Sequence, residues 1–161
     1  MTASATGAGG PAAPGGVVTG VIIAVDVGTV RVGVAASDPE GRMAFPVVTL
    51  LRDPAGGSDL ARLTELIRER RAAEVLVGLP TGLSGVEGRA ARSCREYARQ
   101  LAERVAPVPV RLTDERLSTV TANRQLGAGS RRGRERREVV DQAAAVVILQ
   151  AALDARARSA T

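Results

Sequence analysis

The sequence contains no histidine, no lysine and no tryptophan, and it has a single cysteine. Each absence removes a class of chemistry. Without histidine, Ser-His-Asp and Cys-His catalysis are excluded, and so are zinc sites built on imidazole. The one cysteine, Cys94, can form neither an internal disulfide nor a thiolate zinc site, and its use fits a reducing compartment. Aromatic residues make up 1% of the chain, so stacking of bases on rings cannot be a main grip on nucleic acid. No apolar stretch reaches the length of a membrane span. The first residues have neither a basic start nor an apolar run, so they do not read as a signal peptide. A catalyst made from this chain has to work with carboxylates, hydroxyls and arginine.

What is present fits one domain. The 161 residues are enough to bury one core. The formal net charge is +5, the isoelectric point is about 11.0, and every basic side chain is arginine. Arginine offers phosphate a planar fork of donors. Residues 1–18 are rich in Ala, Gly, Pro, Ser and Thr and are expected to form a disordered tail. Residues 19–158 are expected to form the single domain.

Hydrophobic periodicity gives the order of elements. Val21–Val27 is a near-continuous apolar run, as in a strand covered on both faces. Gly28-Thr29 turns the chain into a second strand, Arg31–Ser37, and a third covers Arg42–Leu51. Pro46 lies inside the third and removes a ladder donor, so this strand is expected at an edge or with a bulge. The period then changes: Ser58 reads as the cap of a helix running to about Arg71. A buried strand (Glu74–Gly78), a helix (Gly85–Val105) and a fifth strand (Val108–Asp114) follow. Ser118 reads as the cap of a short helix, Gly127–Arg137 as a polar loop, and Arg137–Arg158 as a final long helix. The order β-β-β-α-β-α-β-α-α predicts an α/β fold: a five-stranded mixed sheet whose first three strands form an antiparallel meander, with helices on both faces. It is the element order of the RNase H-like fold.

Three acids stand out. Asp26 interrupts the apolar first strand, where an uncompensated charge costs several kcal/mol. Glu115 follows the fifth strand, at the kind of strand end where open α/β sheets place their sites. Asp141 begins a small apolar helix face that continues through Ala144, Ala145, Ile148 and Ala152, so it should face the sheet. Each has an ordinary explanation alone: a turn cap, a solvated loop acid, a helix-start acid. Together they would repel one another unless a cation lies between them. Oxygen-only ligands suit Mg²⁺ or Mn²⁺. Two such ions about 4 Å apart can activate water and stabilise the leaving oxygen of a phosphodiester, without histidine.

Two further segments could meet phosphate. Gly28 and Thr29, with Gly78, Pro80 and Gly85, form turns where backbone can approach a ligand closely. Arg131, Arg132, Arg134, Arg136 and Arg137 crowd the segment before Asp141 and would give salt-sensitive backbone contact; Arg31 and Arg116 flank the candidate acids.

Four motifs in order resemble one family. Ala24–Ala35 (AVDVGTVRVGVA) is similar to the opening motif of the YqgF family, also called RuvX. Val77-Gly78-Leu79-Pro80 with Gly85 and Gly88, Asp114–Thr119 (DERLST) and Val140–Gln150 (VDQAAAVVILQ) resemble its later motifs. Resolution of Holliday junctions and maturation of the end of pre-16S ribosomal RNA are the activities attributed to that family. The resemblance implies an RNase H-like nuclease with acids at Asp26, Glu115 and Asp141, and Asp114 could stand in for Glu115. It departs from the family pattern in the tail, in the all-arginine composition, and in Gln142, where lysine is frequent.

These observations predict a cytoplasmic, metal-dependent nuclease, using two Mg²⁺ or Mn²⁺ ions, that acts on structured RNA or branched DNA as a monomer or homodimer. Two rivals come from other classes. A non-catalytic module could hold nucleic acid through the arginines. Asp26-Val27-Gly28-Thr29 also resembles the phosphate loop of sugar kinases and Hsp70-like ATPases, although those proteins use two copies of the core.

Overall fold

In the computed structural model, residues 19–80, 88–114 and 133–160 are described, the side chains of 133–138 excepted. The expected tail at 1–18, the helix capped by Ser118 and the loop at 127–132 therefore lie outside the described residues.

Strand β1 (Ile22–Val27) has five of its six residues buried, as a doubly covered apolar strand requires. β2 (Arg31–Ser37) returns antiparallel to it and pairs Gly33 with Asp26. β3 (Ala44–Leu51) is antiparallel to β2 and forms one edge of the sheet. Its register shifts between Val34 and Ala35, where Pro46 enters the pairing, which is the bulged edge that proline dictates. Helix α1 (Ser58–Glu69) carries the chain to β4 (Glu74–Leu79), parallel to β1. Helix α2 (Arg89–Val105) leads to β5 (Val110–Asp114), parallel to β4. The long α3 (Gly133–Ser159) ends the described chain. The sheet is five-stranded and mixed, in the order β3-β2-β1-β4-β5.

Alternation along β1 divides the core in two. Ile23 and Val25 point to the side of Leu60, Leu63, Ile67, Tyr97 and Leu101, from α1 and α2. Ile22 and Ala24 point to the side of Ala144, Ala145, Ile148, Leu149 and Leu153, from α3. Helices thus cover both faces. Each fully buried Ile or Leu contributes about 2 kcal/mol, so neither layer is dispensable.

Polar anchors fix α3 on the sheet. Glu74 is fully buried at the start of β4 and accepts hydrogen bonds from both terminal nitrogens of Arg156, at 2.9 and 2.7 Å. Arg111 Nε stands 3.5 Å from the same carboxylate. Gln150 accepts from the Ala44 amide and donates to the Arg42 carbonyl, each at 3.0 Å, tying α3 to the edge strand.

Some boundaries differ from the sequence reading. Ser58 is the first helical residue and not the cap; Gly57, left-handed at φ 72°, takes that place. The Asp53 carboxylate satisfies the free donors instead, accepting from the Ser58 amide at 3.1 Å and the Ser58 hydroxyl at 2.7 Å. Helix α3 begins at Gly133, so Arg134, Arg136 and Arg137 lie on a helix and not in the expected loop. Arg and Glu are strong helix formers, which outweighs the loop-like look of a dense charge run. Strands β3 and β5 each start two residues later than expected, and α2 starts at Arg89 instead of Gly85.

Candidate functional site

The site forms on the α3 side of the sheet, at the C-terminal end of β1. Asp26 shares its face with Ile22 and Ala24, which pack under α3, and it is 2% exposed. Across β2 its paired residue is Gly33. On that glycine rests Asp141: a Cβ added at Gly33 would overlap the Asp141 carbonyl oxygen and lie 3.2 Å from the Asp141 Cβ. Asp26 and Asp141 are therefore neighbours on either side of Gly33. The approach depends on the missing side chain, and no local backbone requirement explains this glycine.

On the other flank the sheet is equally bare. Val25 pairs with Val77, so Gly78 comes next beside Asp26, and Gly78 pairs with Thr113 of β5. At the level of Asp26 the α3-side floor reads Gly33, Asp26, Gly78, Thr113. A buried carboxylate on a floor of small residues leaves room for an ion and an approaching phosphate. Further along β5 a cleft of about 580 Å³ opens against α3, with Leu76, Arg111, Thr113, Ile148 and Arg158 in its walls.

Of the other sequence-derived candidates, Gly28 and Thr29 form the β1–β2 turn just beyond Asp26, and the Gly28 amide donates to the Arg31 carbonyl at 2.8 Å. Arg31 shares the β2 face of Gly33, and its Nε is buried without a hydrogen bond. Pro80 follows β4 at the same end of the sheet. Arg134, Arg136 and Arg137 lie in the opening turns of α3, ahead of Asp141. Glu115, Arg116, Gly85, Arg131 and Arg132 lie outside the described residues. Among the described residues no three acidic or cysteine side chains form a ready metal cluster. Two of the three expected acids are thus brought together, and the third falls beyond the described end of β5.

Sequence reasoning did not single out Gly33 or Thr113. The signal was available: with Asp26 assigned to the α3 face, strand alternation places Gly33 on that face.

This sheet order and helix placement are those of the RNase H-like fold. A solved structure of "T. thermophilus RuvC in complex with Holliday junction substrate" superposes with a TM-score of 0.56 at 18% identity, over 86% of this chain and 97% of that one. The family described as "RuvX: Holliday junction resolvase" matches residues 20–155. Similar proteins include one from Frankia casuarinae, 59% identical over 87% of this chain and 69% of its own length. Another, from Thermobifida fusca, is 56% identical over 88% of this chain and 91% of its own. Both carry the name "Putative pre-16S rRNA nuclease". The chain belongs to the RuvX family.

Proposed function

We propose that this protein is a divalent-metal-dependent nuclease that trims structured precursor RNA, with Asp26, Glu115 and Asp141 as its metal ligands and catalytic acids. The observation that carries the proposal is the place of a 2%-exposed Asp26 beside Gly33, on which the Asp141 backbone rests, over a floor of small residues. A second acid beside a buried carboxylate favours binding of a cation there, and an all-oxygen donor set fits Mg²⁺ or Mn²⁺.

Bound there, one or two such ions would supply Lewis acidity and a water of lowered pKa. Asp26 gives the rigid donor, because β1 is paired on both sides. Asp141 gives the opposite donor, and its distance from Asp26 is set by how closely α3 rests on Gly33. Gly33 and Gly78 leave space for a phosphodiester beside the acids. Arg31 and Arg116, with Arg131, Arg132, Arg134, Arg136 and Arg137, bind flanking phosphates. The Gly28-Thr29 turn, whose Gly28 amide is taken by the Arg31 carbonyl, and the segment from Gly78 and Pro80 to Gly85 let a phosphate approach the backbone. A cytoplasmic location belongs to this reading, and the single, buried cysteine, Cys94, is compatible with it. No described helix is long and apolar enough to cross a membrane.

The similar proteins named for pre-16S rRNA favour RNA as substrate. The family's description favours a second reading, cleavage of four-way DNA junctions, which needs two symmetric cuts and hence a homodimer. The test is cleavage of a structured precursor RNA and of a four-way junction, each with Mn²⁺ and with EDTA, by wild type and Asp26→Asn. Metal-dependent cleavage of the RNA, lowered by about 100-fold or more in the variant, is expected. Full activity in EDTA would overturn the metal assignment, and cleavage of the junction alone would move the substrate to DNA. Binding of RNA with no cleavage under any metal would leave a binding module.

A further inference from the structure

Behind the β1–β2 turn, on the α1/α2 side of the sheet, lies a buried polar cluster of Arg52, Asp59 and Tyr97. Arg52 directly follows β3. Its backbone amide donates to the Val30 carbonyl at 2.8 Å, and its Nη1 donates to the Gly28 carbonyl at 3.0 Å. Its Nε is 3.7 Å from the Asp59 carboxylate, with side-chain exposures of 15% for Arg52 and 2% for Asp59. The guanidinium lies over the Tyr97 ring, 5.1 Å from its centroid. The Gly28 amide is held by the Arg31 carbonyl at 2.8 Å, and Cys94 Sγ stands 3.7 Å from the Val27 carbonyl. Both polar groups of Gly28 are therefore engaged, two residues after Asp26.

We propose that Arg52 is a positioning residue for the candidate metal site. By gripping the Gly28 carbonyl it fixes the turn after Asp26, and with it the direction of the Asp26 carboxylate and the placement of Arg31. Asp59 and Tyr97 hold the guanidinium for this task. Only an arginine can donate to a carbonyl, face a carboxylate and lie on a ring with one planar group. A bare role in neutralising buried Asp59 would need no contact to Gly28 at all. This inference rests on the reading of Asp26 as a metal ligand.

The test separates the two roles with Arg52→Met and the double variant Arg52→Met/Asp59→Asn. The single change leaves Asp59 buried and unpaired, so it loses stability; the double change removes that charge and is expected to fold like wild type. In the double variant kcat for metal-dependent cleavage is expected to stay about 10- to 100-fold down, with KM for the nucleic acid within about twofold. The Gly28 amide is expected to exchange its hydrogen faster, while amides in α1 and α2 keep their protection. Recovery of kcat together with stability in the double variant would overturn the proposal, as would an unchanged Gly28 amide. The exchange measurement needs no cleavage. A wild-type protein that failed to cleave would therefore count against the nuclease reading alone.

Discussion

Gly33→Ala is the most direct probe of the site, because a single methyl there acts on the spacing of the two acids. The added Cβ would stand 2.5 Å from the Asp141 carbonyl carbon. An ordinary carbon–carbon contact is about 3.5 Å or more, so α3 has to retreat by about 1 Å. It cannot slide freely. Arg156 is locked on Glu74, and Gln150 is tied to Ala44 and Arg42. At 1.5 Å per residue the Arg156 anchor lies roughly 22 Å from Asp141, so the retreat concentrates at the Asp141 end. A 1 Å misplacement at a reacting centre costs about 100-fold in rate. The overpacking costs about 1–3 kcal/mol, which a domain holding roughly 5–15 kcal/mol survives. Without the clash the sign would reverse, since Gly→Ala in a strand reduces the freedom of the unfolded chain. Urea denaturation and single-turnover cleavage with saturating Mn²⁺ measure both effects. A variant as stable and as active as wild type would refute the contact of α3 with Gly33, and with it the adjacency of the two acids.

Two other predictions concern the scaffold. Arg156→Met leaves Glu74 buried with Arg111 alone at 3.5 Å; a loss of about 3 kcal/mol in urea denaturation is expected, with kcat preserved where the protein is folded. Tyr97 is the single tyrosine, and burial, followed by the nearby Asp59 charge, pushes its hydroxyl well above the ordinary value. A raised pKa means that its share of stability is intact below about pH 10 and is lost as the pH climbs beyond it toward the folded value. Absorbance of tyrosinate is expected to appear only together with alkaline unfolding, and a smooth titration near pH 10 in the folded protein would contradict the burial.

Most of the fold was legible because its signals are local. The apolar run around Asp26, the proline in β3 and the change of period at Ser58 each state a constraint that tertiary packing then obeys. The helix face following Asp141 was readable for the same reason, since Ala144, Ala145 and Ile148 repeat at helical spacing and all are buried. What was missed is long-range. Glu74 and Arg156 meet across 82 positions, and Arg52 reaches Gly28 across 24; no pattern in either segment announces the partner. Gly33 was overlooked because nothing in its own strand demands a glycine, only the helix that arrives a hundred residues later. The start of α3 was misread because arginine density suggests a solvated loop, whereas these side chains also favour helix.

We propose Glu115 over Asp114 as the third acid, on the placement of Asp114 in the sheet. Residues in register on parallel strands point to the same side of the sheet. Leu79 pairs with Asp114, and Leu79 packs with Ala91 and Cys94 of α2. Asp114 therefore belongs to the α1/α2 side, whereas Asp26 and Asp141 meet on the α3 side. Asp114 does border the cleft between β5 and α3, but so does Leu112, which shares its parity; β5 is an edge strand, so that cleft is open to residues of both parities. The period of two gives the α3 side to Thr113. Asp114→Asn is accordingly expected to keep cleavage near wild type, and Glu115→Gln to lower it by about 100-fold or more at fixed Mn²⁺. The opposite ranking would mean that the chain does not hold its strand period through the end of β5, and Asp114 would then take the place assigned to Glu115.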